Sequence, residues 1–368
     1  MHVRGMVLFL LGAGVAAAAV PDGVLPFASD STAFEQALTP HEFEFPRDHG
    51  AHPAFAHEWW YVTGHLAAAS GERFGFELTL FRIALARSTL AAPADASAWR
   101  AQQMYVAHFA VTDIDHGRFR FQERFARAAL GLAGAESNPL KVWVDDWSLG
   151  AADGTWQIRA AAQGYALDVH MTADVPAVLN GDRGLSQKSS DPRDASYYYS
   201  IPRLAVHGEL VRDGKALQVA GSAWLDREWG SGGLGADEAG WDWFALQLSD
   251  GSELMFYSLR RRDGRREPHS AGTWVGADGS AHALASADVA IDVQGYWTSP
   301  RGGRYPARWQ VQVPALGLTV NLRPVLADQE LIGQPRYWEG AVDVTGTENG
   351  RNLLGQGYVE LVGYARAP

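Results

Sequence analysis

A carboxylic acid lies among aromatic residues in the run His57-Glu58-Trp59-Trp60-Tyr61. If this run is a strand, Glu58 and Trp60 point to one face of the sheet. Trp59 and Tyr61 then point to the other face. A carboxyl group at the mouth of an apolar cavity has a raised pKa, so Glu58 could act there as an acid, with His57 beside it. The alternative is structural: a tryptophan of this run fills the floor of a barrel, and Glu58 pairs with an arginine.

A second candidate acid is Asp226, within the run Trp-Leu-Asp-Arg-Glu-Trp-Gly at 224–230. In a strand, Asp226 shares a face with Trp224 and Glu228, and Arg227 lies on the opposite face. A carboxyl group between aromatic walls could protonate an unreactive alkene, and the aromatic faces could stabilise the resulting cation. The alternative is again structural, a network in which Asp226 pairs with Arg227 or Glu228 pairs with another arginine.

Other common catalytic motifs do not occur in the sequence. Gly-x-Ser-x-Gly is absent, which argues against a hydrolase nucleophile elbow. His-Glu-x-x-His is absent too, and His49, His52 and His57 lie in irregular sequence, so we predict no metal site and no cofactor. The net charge of −11 argues against nucleic-acid binding. The arginine-rich stretch 260–266 surrounds an Asp-Gly pair and is typical of an exposed hairpin tip.

The elements that must position these residues are strands. Residues 73–82 alternate with period two, and we predict further strands at 104–113, 140–149, 155–160 and 165–172. Asp-Gly pairs, which favour hairpin turns, recur between these strand-like runs. The segment 121–132 is the one plausible short helix, and it could equally be a strand and a loop. The pattern predicts an all-β protein with sandwich or barrel architecture.

A weak internal repeat predicts two domains. The order of a tryptophan-rich strand, a glycine turn and a second strand at 59–82 recurs at 241–260. Likewise 206–226 resembles 338–360, with Gly221–Asp226 aligned on Gly355–Glu360. A chain of 368 residues is also long for one β domain. We predict an N-terminal domain at 56–230 and a C-terminal domain at 231–368, with the boundary in the glycine-rich stretch 228–238.

The first residues predict export. Arg4 precedes an apolar run, Met6 to Val20, that ends in Ala17-Ala18-Ala19. This is the pattern of a signal peptide, predicted here as 1–19, and the run is short for a membrane span. The sequence contains no cysteine, so we predict a soluble protein without a lipid anchor, in a bacterial periplasm. Residues 20–55 lack periodicity and are predicted as an extended lead-in that wraps the first barrel.

The runs 57–64 (His-Glu-Trp-Trp-Tyr-Val-Thr-Gly) and 224–231 together resemble the AttH-like, carotenoid 1,2-hydratase family. The resemblance extends over about residues 40–365. It implies two tandem lipocalin-like antiparallel β-barrels with a ligand cavity near their junction. It also implies that Asp226 is the proton donor, because the hydratase motif Tyr-x-Asp-His-Asn-Trp-Gly has its Asp at this place. Here Trp224, Arg227 and Glu228 replace the Tyr, His and Asn, and an arginine directed at Asp226 would hold it ionised.

These observations predict a hydrophobic small-molecule ligand of isoprenoid, polyene or lipid-like character. One function is that of a hydratase-type lyase, with Asp226 as the acid and Glu58 or His57 as a base that orients water. The other is that of a non-catalytic periplasmic carrier, or of a component that serves a membrane transporter. The predicted ligand-binding residues are Trp59, Trp60, Tyr197, Tyr199, Trp224, Trp229, Trp241 and Trp243.

Overall fold

A computed structural model of the protein describes residues 33–85, 101–173 and 175–365. The predicted signal peptide at 1–19 and the first part of the lead-in, 20–32, lie outside the described residues. Within the described ranges there is no α-helix, only short 3-10 segments such as Arg47–His49. Accordingly, no helix among these residues has the length and apolar character needed to cross a membrane. The predicted all-β class is confirmed.

Two antiparallel sheets take their strands from consecutive parts of the chain. The first sheet contains β1 His57–Ala68, β2 Arg73–Ala84, β3 Gln103–Asp113, β4 Arg118–Arg127, β5 Ala133–Ser137, β6 Leu140–Val144, β7 Trp147–Ala152, β8 Thr155–Ala162, β9 Tyr165–Ala173, β10 Val178–Leu179, β11 Leu185–Gln187, β12 Ala195–Arg212 and β13 Lys215–Gly230. The second contains β14 Glu238–Leu248, β15 Glu253–Arg261, β16 Ala271–Val275, β17 Ala281–Ala285, β18 Ala290–Thr298, β19 Arg304–Val313, β20 Leu318–Pro324, β21 Glu330–Ile332, β22 Arg336–Glu348 and β23 Arg351–Leu361.

The first sheet curls into a nearly closed barrel and the second into a half-barrel. The strand order is β4-β3-β2-β1-β13-β12-β9-β8-β7-β6-β5 in the first and β17-β16-β15-β14-β23-β22-β20-β19-β18 in the second, with the short strands β10, β11 and β21 attached at the side. In both sheets the first strand pairs with the second strand and with the last. This shared topology matches the repeated order in the sequence, and the chain changes sheet between Gly230 and Glu238.

Alternation predicted most strands of the first sheet, and two segments differ. The stretch 140–149 is not one strand: β6 ends at Val144 and β7 begins at Trp147. The chain reverses there because Asp145 adopts a positive φ of 54°, the conformation that a tight hairpin turn requires. The segment 121–132 is the end of β4 followed by a turn, so the strand-and-loop alternative is confirmed and the helix is wrong.

The lead-in packs against core residues of the first barrel. The described part of this segment contains no strand, and His52 stacks on Trp229 with ring centroids 3.8 Å apart. The Trp60 indole donates to the His49 carbonyl (2.8 Å), and the Tyr197 hydroxyl donates to the Thr39 carbonyl (2.9 Å). The described part of the lead-in therefore contacts residues that point into the barrel core.

The outer face of the first sheet packs against the second sheet. The sheets lie close together at Gly75, because a Cβ atom there would lie 2.6 Å from the Tyr358 hydroxyl and 2.9 Å from the Ala341 Cβ. His65 makes a hydrogen bond of 2.9 Å between its Nε2 and the Gly357 carbonyl. Further along β1, toward His57, the two sheets enclose a cavity.

Candidate functional site

An aromatic cavity of about 160 Å³, partly open to solvent, lies between the two sheets. Its lining is mostly apolar, which is typical of small-molecule sites. The aromatic walls include Trp59, Tyr61, Phe81, Trp241, Trp243 and Tyr257. The titratable groups among the lining residues include His57, Lys188, Asp226, Glu228, Glu339 and Glu360.

Strand register places Asp226 in this cavity. Asp226 on β13 is the direct partner of Tyr61 on β1 and of Ser200 on β12. Directly paired residues in an antiparallel sheet point to the same face, so these three side chains point outward from the barrel, toward the second sheet. Trp243 of the second sheet donates from its indole to the Tyr198 hydroxyl (3.1 Å), which joins the two walls.

Three neutral groups donate hydrogen bonds to the Asp226 carboxyl. They are the hydroxyls of Ser200 and Tyr198, both at 2.5 Å, and the indole of Trp224 at 2.7 Å. Within the described residues no arginine, lysine or histidine forms an ion pair with Asp226, which is only 3% exposed. Burial raises the pKa of Asp226 to about 7, although the three hydrogen bonds act in the opposite direction. At neutral pH this carboxyl can hold a proton and release it.

Removing one of these donors gives a prediction about the acid. Tyr198→Phe deletes a hydrogen bond that stabilises the ionised form, so we expect the pKa of Asp226 to rise further. The measurement is a carbon-13 NMR titration of the Asp226 carboxyl. Tyr257→Phe is the matched control, because Tyr257 lines the same cavity and bonds to Ser186 instead (2.9 Å). An unchanged or lowered midpoint in Tyr198→Phe would contradict the assigned role of this hydroxyl.

The second cavity carboxyl of the first sheet, Glu228, has a cation beside it. The Lys188 ammonium lies 3.2 Å from a Glu228 oxygen, and the Ser196 hydroxyl donates to the same carboxylate. Burial opposes the charge of Lys188, but Glu228 and Tyr257 hold the Lys188 pKa above its ordinary value. Glu228 and Lys188 therefore form an ion pair next to Asp226. Of these two carboxyl groups, Asp226 is the one without a cationic partner.

Glu58 lies on the opposite face of β1 from the cavity. It pairs with the guanidinium groups of Arg82 and Arg227, and all three side chains are fully buried. Burial alone would raise the pKa of Glu58, but these two cations hold it well below its ordinary range. The interpretation that Glu58 lies at the mouth of a cavity is therefore wrong. The alternative, in which Glu58 pairs with arginine, is what the structure contains. Arg227 stacks over Trp60 (3.9 Å) and does not reach Asp226.

The remaining predicted residues divide between the two faces of the first sheet. Trp60, Tyr197, Tyr199 and Trp229 point into the barrel core, where the lead-in covers them. His57, Trp59, Trp241 and Trp243 line the cavity, and Trp224 lies behind Asp226 as a hydrogen-bond donor. Burial lowers the pKa of His57 to about 4, so its imidazole is neutral at pH 7. Its Nε2 lies 2.7 Å from the Gly232 carbonyl.

Several cavity residues were not predicted from the sequence. Tyr198 and Ser200 contact Asp226, and Glu339 and Glu360 line the second-sheet wall. The sequence carried a signal for Glu360. In the alignment of Gly355–Glu360 on Gly221–Asp226, Glu360 is the counterpart of Asp226. Over residues 33–85, 101–173 and 175–365, no group of three or more histidine, aspartate or glutamate side chains has an arrangement that could hold a metal ion.

Comparison with known proteins agrees with this architecture. The sequence matches the AttH-like family over residues 36–364. A crystal structure of a Nitrosomonas europaea protein assigned to AttH shares 36% identity and a TM-score of 0.78, covering 89% of this chain and 99% of that one. Kievitone hydratase from Nectria haematococca has the same fold, with 17% identity, a TM-score of 0.67, and coverage of 93% and 99%.

One match is to a curated enzyme. The dehydratase AsqC of Emericella nidulans is 22% identical over 220 residues, which are 56% of this chain and 61% of that enzyme. The matched segment thus spans less than two thirds of the length of AsqC. The extent of the family match, together with the similarity to the Nitrosomonas protein, shows that this chain belongs to the AttH-like family.

Proposed function

We propose that the protein is a hydratase-type lyase that adds water to, or removes it from, an apolar small molecule in the inter-sheet cavity. The observation that carries the proposal is the Asp226 carboxyl, which lies among aromatic walls with three neutral donors and a pKa of about 7. A general acid works best when its pKa lies near the operating pH. A carrier that only holds a ligand has no need of such a group.

In the hydration direction, the Asp226 carboxyl gives its proton to one alkene carbon, and the π electron pair forms the new C–H bond. The carbocation forms at the other, more substituted carbon, next to the faces of Tyr61 and Trp243. Water then adds to this carbon, and the oxonium proton returns to the Asp226 carboxylate. Dehydration is the reverse, in which Asp226 protonates the departing hydroxyl. We assign to the neutral His57 imidazole, which lines the same cavity, the role of orienting the water molecule.

The substrate class is also part of the proposal. Kievitone hydratase and the dehydratase AsqC are named for addition or removal of water, which supports this reaction type for the present cavity. The apolar and aromatic lining suits an isoprenoid or polyene group. We further propose, from the first 19 residues, that the protein acts after export to the periplasm.

Oxygen-18-labelled water tests the reaction directly. Purified protein is incubated in it with a panel of isoprenoid tertiary alcohols and the corresponding trisubstituted alkenes. Reversible loss and addition of water incorporates the label into the alcohol, and mass spectrometry detects it. Recovery of every compound unlabelled, although one of them binds in the cavity, would contradict the lyase and favour a carrier.

The pH dependence of label incorporation is a separate prediction. Only protonated Asp226 can act as the acid, and its pKa is about 7. The rate is therefore expected to be highest below pH 7 and to fall as the pH rises through that value. Initial rates are measured from pH 5 to pH 9, a range that extends about two units on either side of this pKa. A rate that increases across this range would mean that a deprotonated group limits the reaction.

A further inference from the structure

The second-sheet wall of the cavity carries two carboxyl groups directly opposite each other. Glu339 on β22 and Glu360 on β23 are cross-strand partners, and both line the cavity. Like charges at directly opposite positions destabilise a sheet. Glu77 on β2 of the first sheet interacts electrostatically with this pair. The groups that perturb these three carboxyls, within the described part of the chain, include no arginine, lysine or histidine.

Glu339 is the more deeply buried member of the pair. It is 2% exposed, and within the described structure neither of its carboxyl oxygens accepts a hydrogen bond. The hydroxyls of Tyr61 and Tyr337 approach this carboxyl without forming a hydrogen bond of normal geometry. A buried carboxyl left in this state destabilises the folded protein. Such a group next to a cavity can accept a hydrogen bond from a bound ligand.

We propose that Glu339 and Glu360 form a subsite for a protonated amine at one end of an amphiphilic ligand. The cavity lining contains four carboxyl groups but one lysine, Lys188, which already pairs with Glu228. Trp241 and Trp243 line the same wall, and aromatic faces beside carboxylates favour organic cations. The apolar body of the ligand then extends toward Asp226. This inference rests on the proposed ligand cavity and is independent of the proposed reaction.

The protonation behaviour of Glu339 and Glu360 without a bound amine agrees with an amine subsite. Burial, together with neighbouring carboxylates, raises the pKa of Glu360 to about 7 and that of Glu339 well above its ordinary range. An ammonium group favours the ionised carboxylates, so the amine displaces a proton from the pair when it binds. The titratable groups that face the pair are Tyr61, Glu77, Asp226, Glu228, Tyr337 and Tyr358.

Two probes of nearly equal shape test the subsite by isothermal titration calorimetry. One is 2-naphthylmethylamine, a cation at neutral pH, and the other is the neutral 2-naphthylmethanol. We expect the amine to bind at least about tenfold more tightly than the alcohol, as a charge-assisted hydrogen bond would give. Glu339→Gln and Glu360→Gln should each remove most of this preference, because they weaken binding of the amine far more than binding of the alcohol. Glu136→Gln, which removes an exposed carboxylate on β5, is the charge control.

The outcomes separate this inference from the proposed reaction. Asp226→Asn should keep the preference for the amine while losing label exchange. Equal binding of the two probes by the wild-type protein would overturn the subsite, as would an amine preference that survives in both glutamine variants. Tighter binding of the alcohol would overturn it too, and would mean that the pair acts as neutral hydrogen-bond donors. Circular dichroism of each variant shows that the sheets have formed.

Discussion

Asp226→Asn is expected to slow label exchange by about 10²–10⁴-fold, the range that a positioned general acid contributes. Asparagine has nearly the same size and can still accept hydrogen bonds from Ser200 and Trp224. It has no proton acidic enough to transfer to an alkene or to a leaving hydroxyl. Ligand affinity should change little, because the loss is confined to the step in which the proton moves. Steady-state rates at pH 6, about one unit below the pKa of Asp226, give the largest contrast.

The control for this variant is Asp263→Asn, which changes an exposed carboxylate at a hairpin tip. It should exchange the label at the wild-type rate. If Asp226→Asn also retains a rate within about threefold of wild type, Asp226 takes no part in proton transfer, since even a weak general acid contributes more. The family assignment and the fold would be unaffected by that result.

The second large effect concerns stability. Glu58→Gln is expected to lower the free energy of unfolding by about 3–5 kcal/mol, because it leaves two arginines buried without their counter-charge. Arg82 and Arg227 would keep neutral acceptors, such as the carbonyls of Phe55 and Gly50 and the His52 imidazole. Since single domains are stable by about 5–15 kcal/mol, this is a large part of the total. Urea denaturation at pH 7, followed by tryptophan fluorescence, measures the difference.

The pH dependence of this difference has a definite sign. The pKa of Glu58 is depressed in the folded protein, so its contribution is complete above its unfolded value of about 4.3. It is lost as the pH falls below that value, and the two proteins should become more alike in acid. Glu136→Gln should change stability by less than about 0.5 kcal/mol, as is usual for exposed sites. A Glu58→Gln loss below about 1 kcal/mol would show that the two arginines do not depend on this carboxylate.

Alternation alone assigned the two faces of β1 correctly. Glu58 and Trp60 share one face, and Trp59 and Tyr61 share the other. Alternation does not show which of the two faces points into the barrel core and which lines the cavity. One of the two interpretations of the first motif placed a cavity at the face of Glu58, but the lead-in packs against the barrel core there and the second sheet encloses space on the other side. That outcome depends on contacts between segments far apart in sequence, which no local pattern encodes.

The tyrosine run shows the same limit on a smaller scale. Tyr197 and Tyr199 were predicted to bind ligand, and the structure brings Tyr198 to Asp226 instead. Tyr199 pairs with Arg227 and Tyr198 with Glu228, so a shift of one residue in register changes the face of every side chain. Asp226 itself was identified because its motif is a local sequence signal. The opposing carboxyl Glu360 had only the weak internal repeat to indicate it.

The protonation state of Asp226 is the central claim, and a carbon-13 NMR titration of its carboxyl group measures that state directly. The signal is assigned by its disappearance in Asp226→Asn. The structure predicts a midpoint near pH 7, with a neutral carboxyl at pH 5, about two units below it. A midpoint below about 4, the ordinary range of an exposed aspartate, would contradict the assignment of Asp226 as the acid.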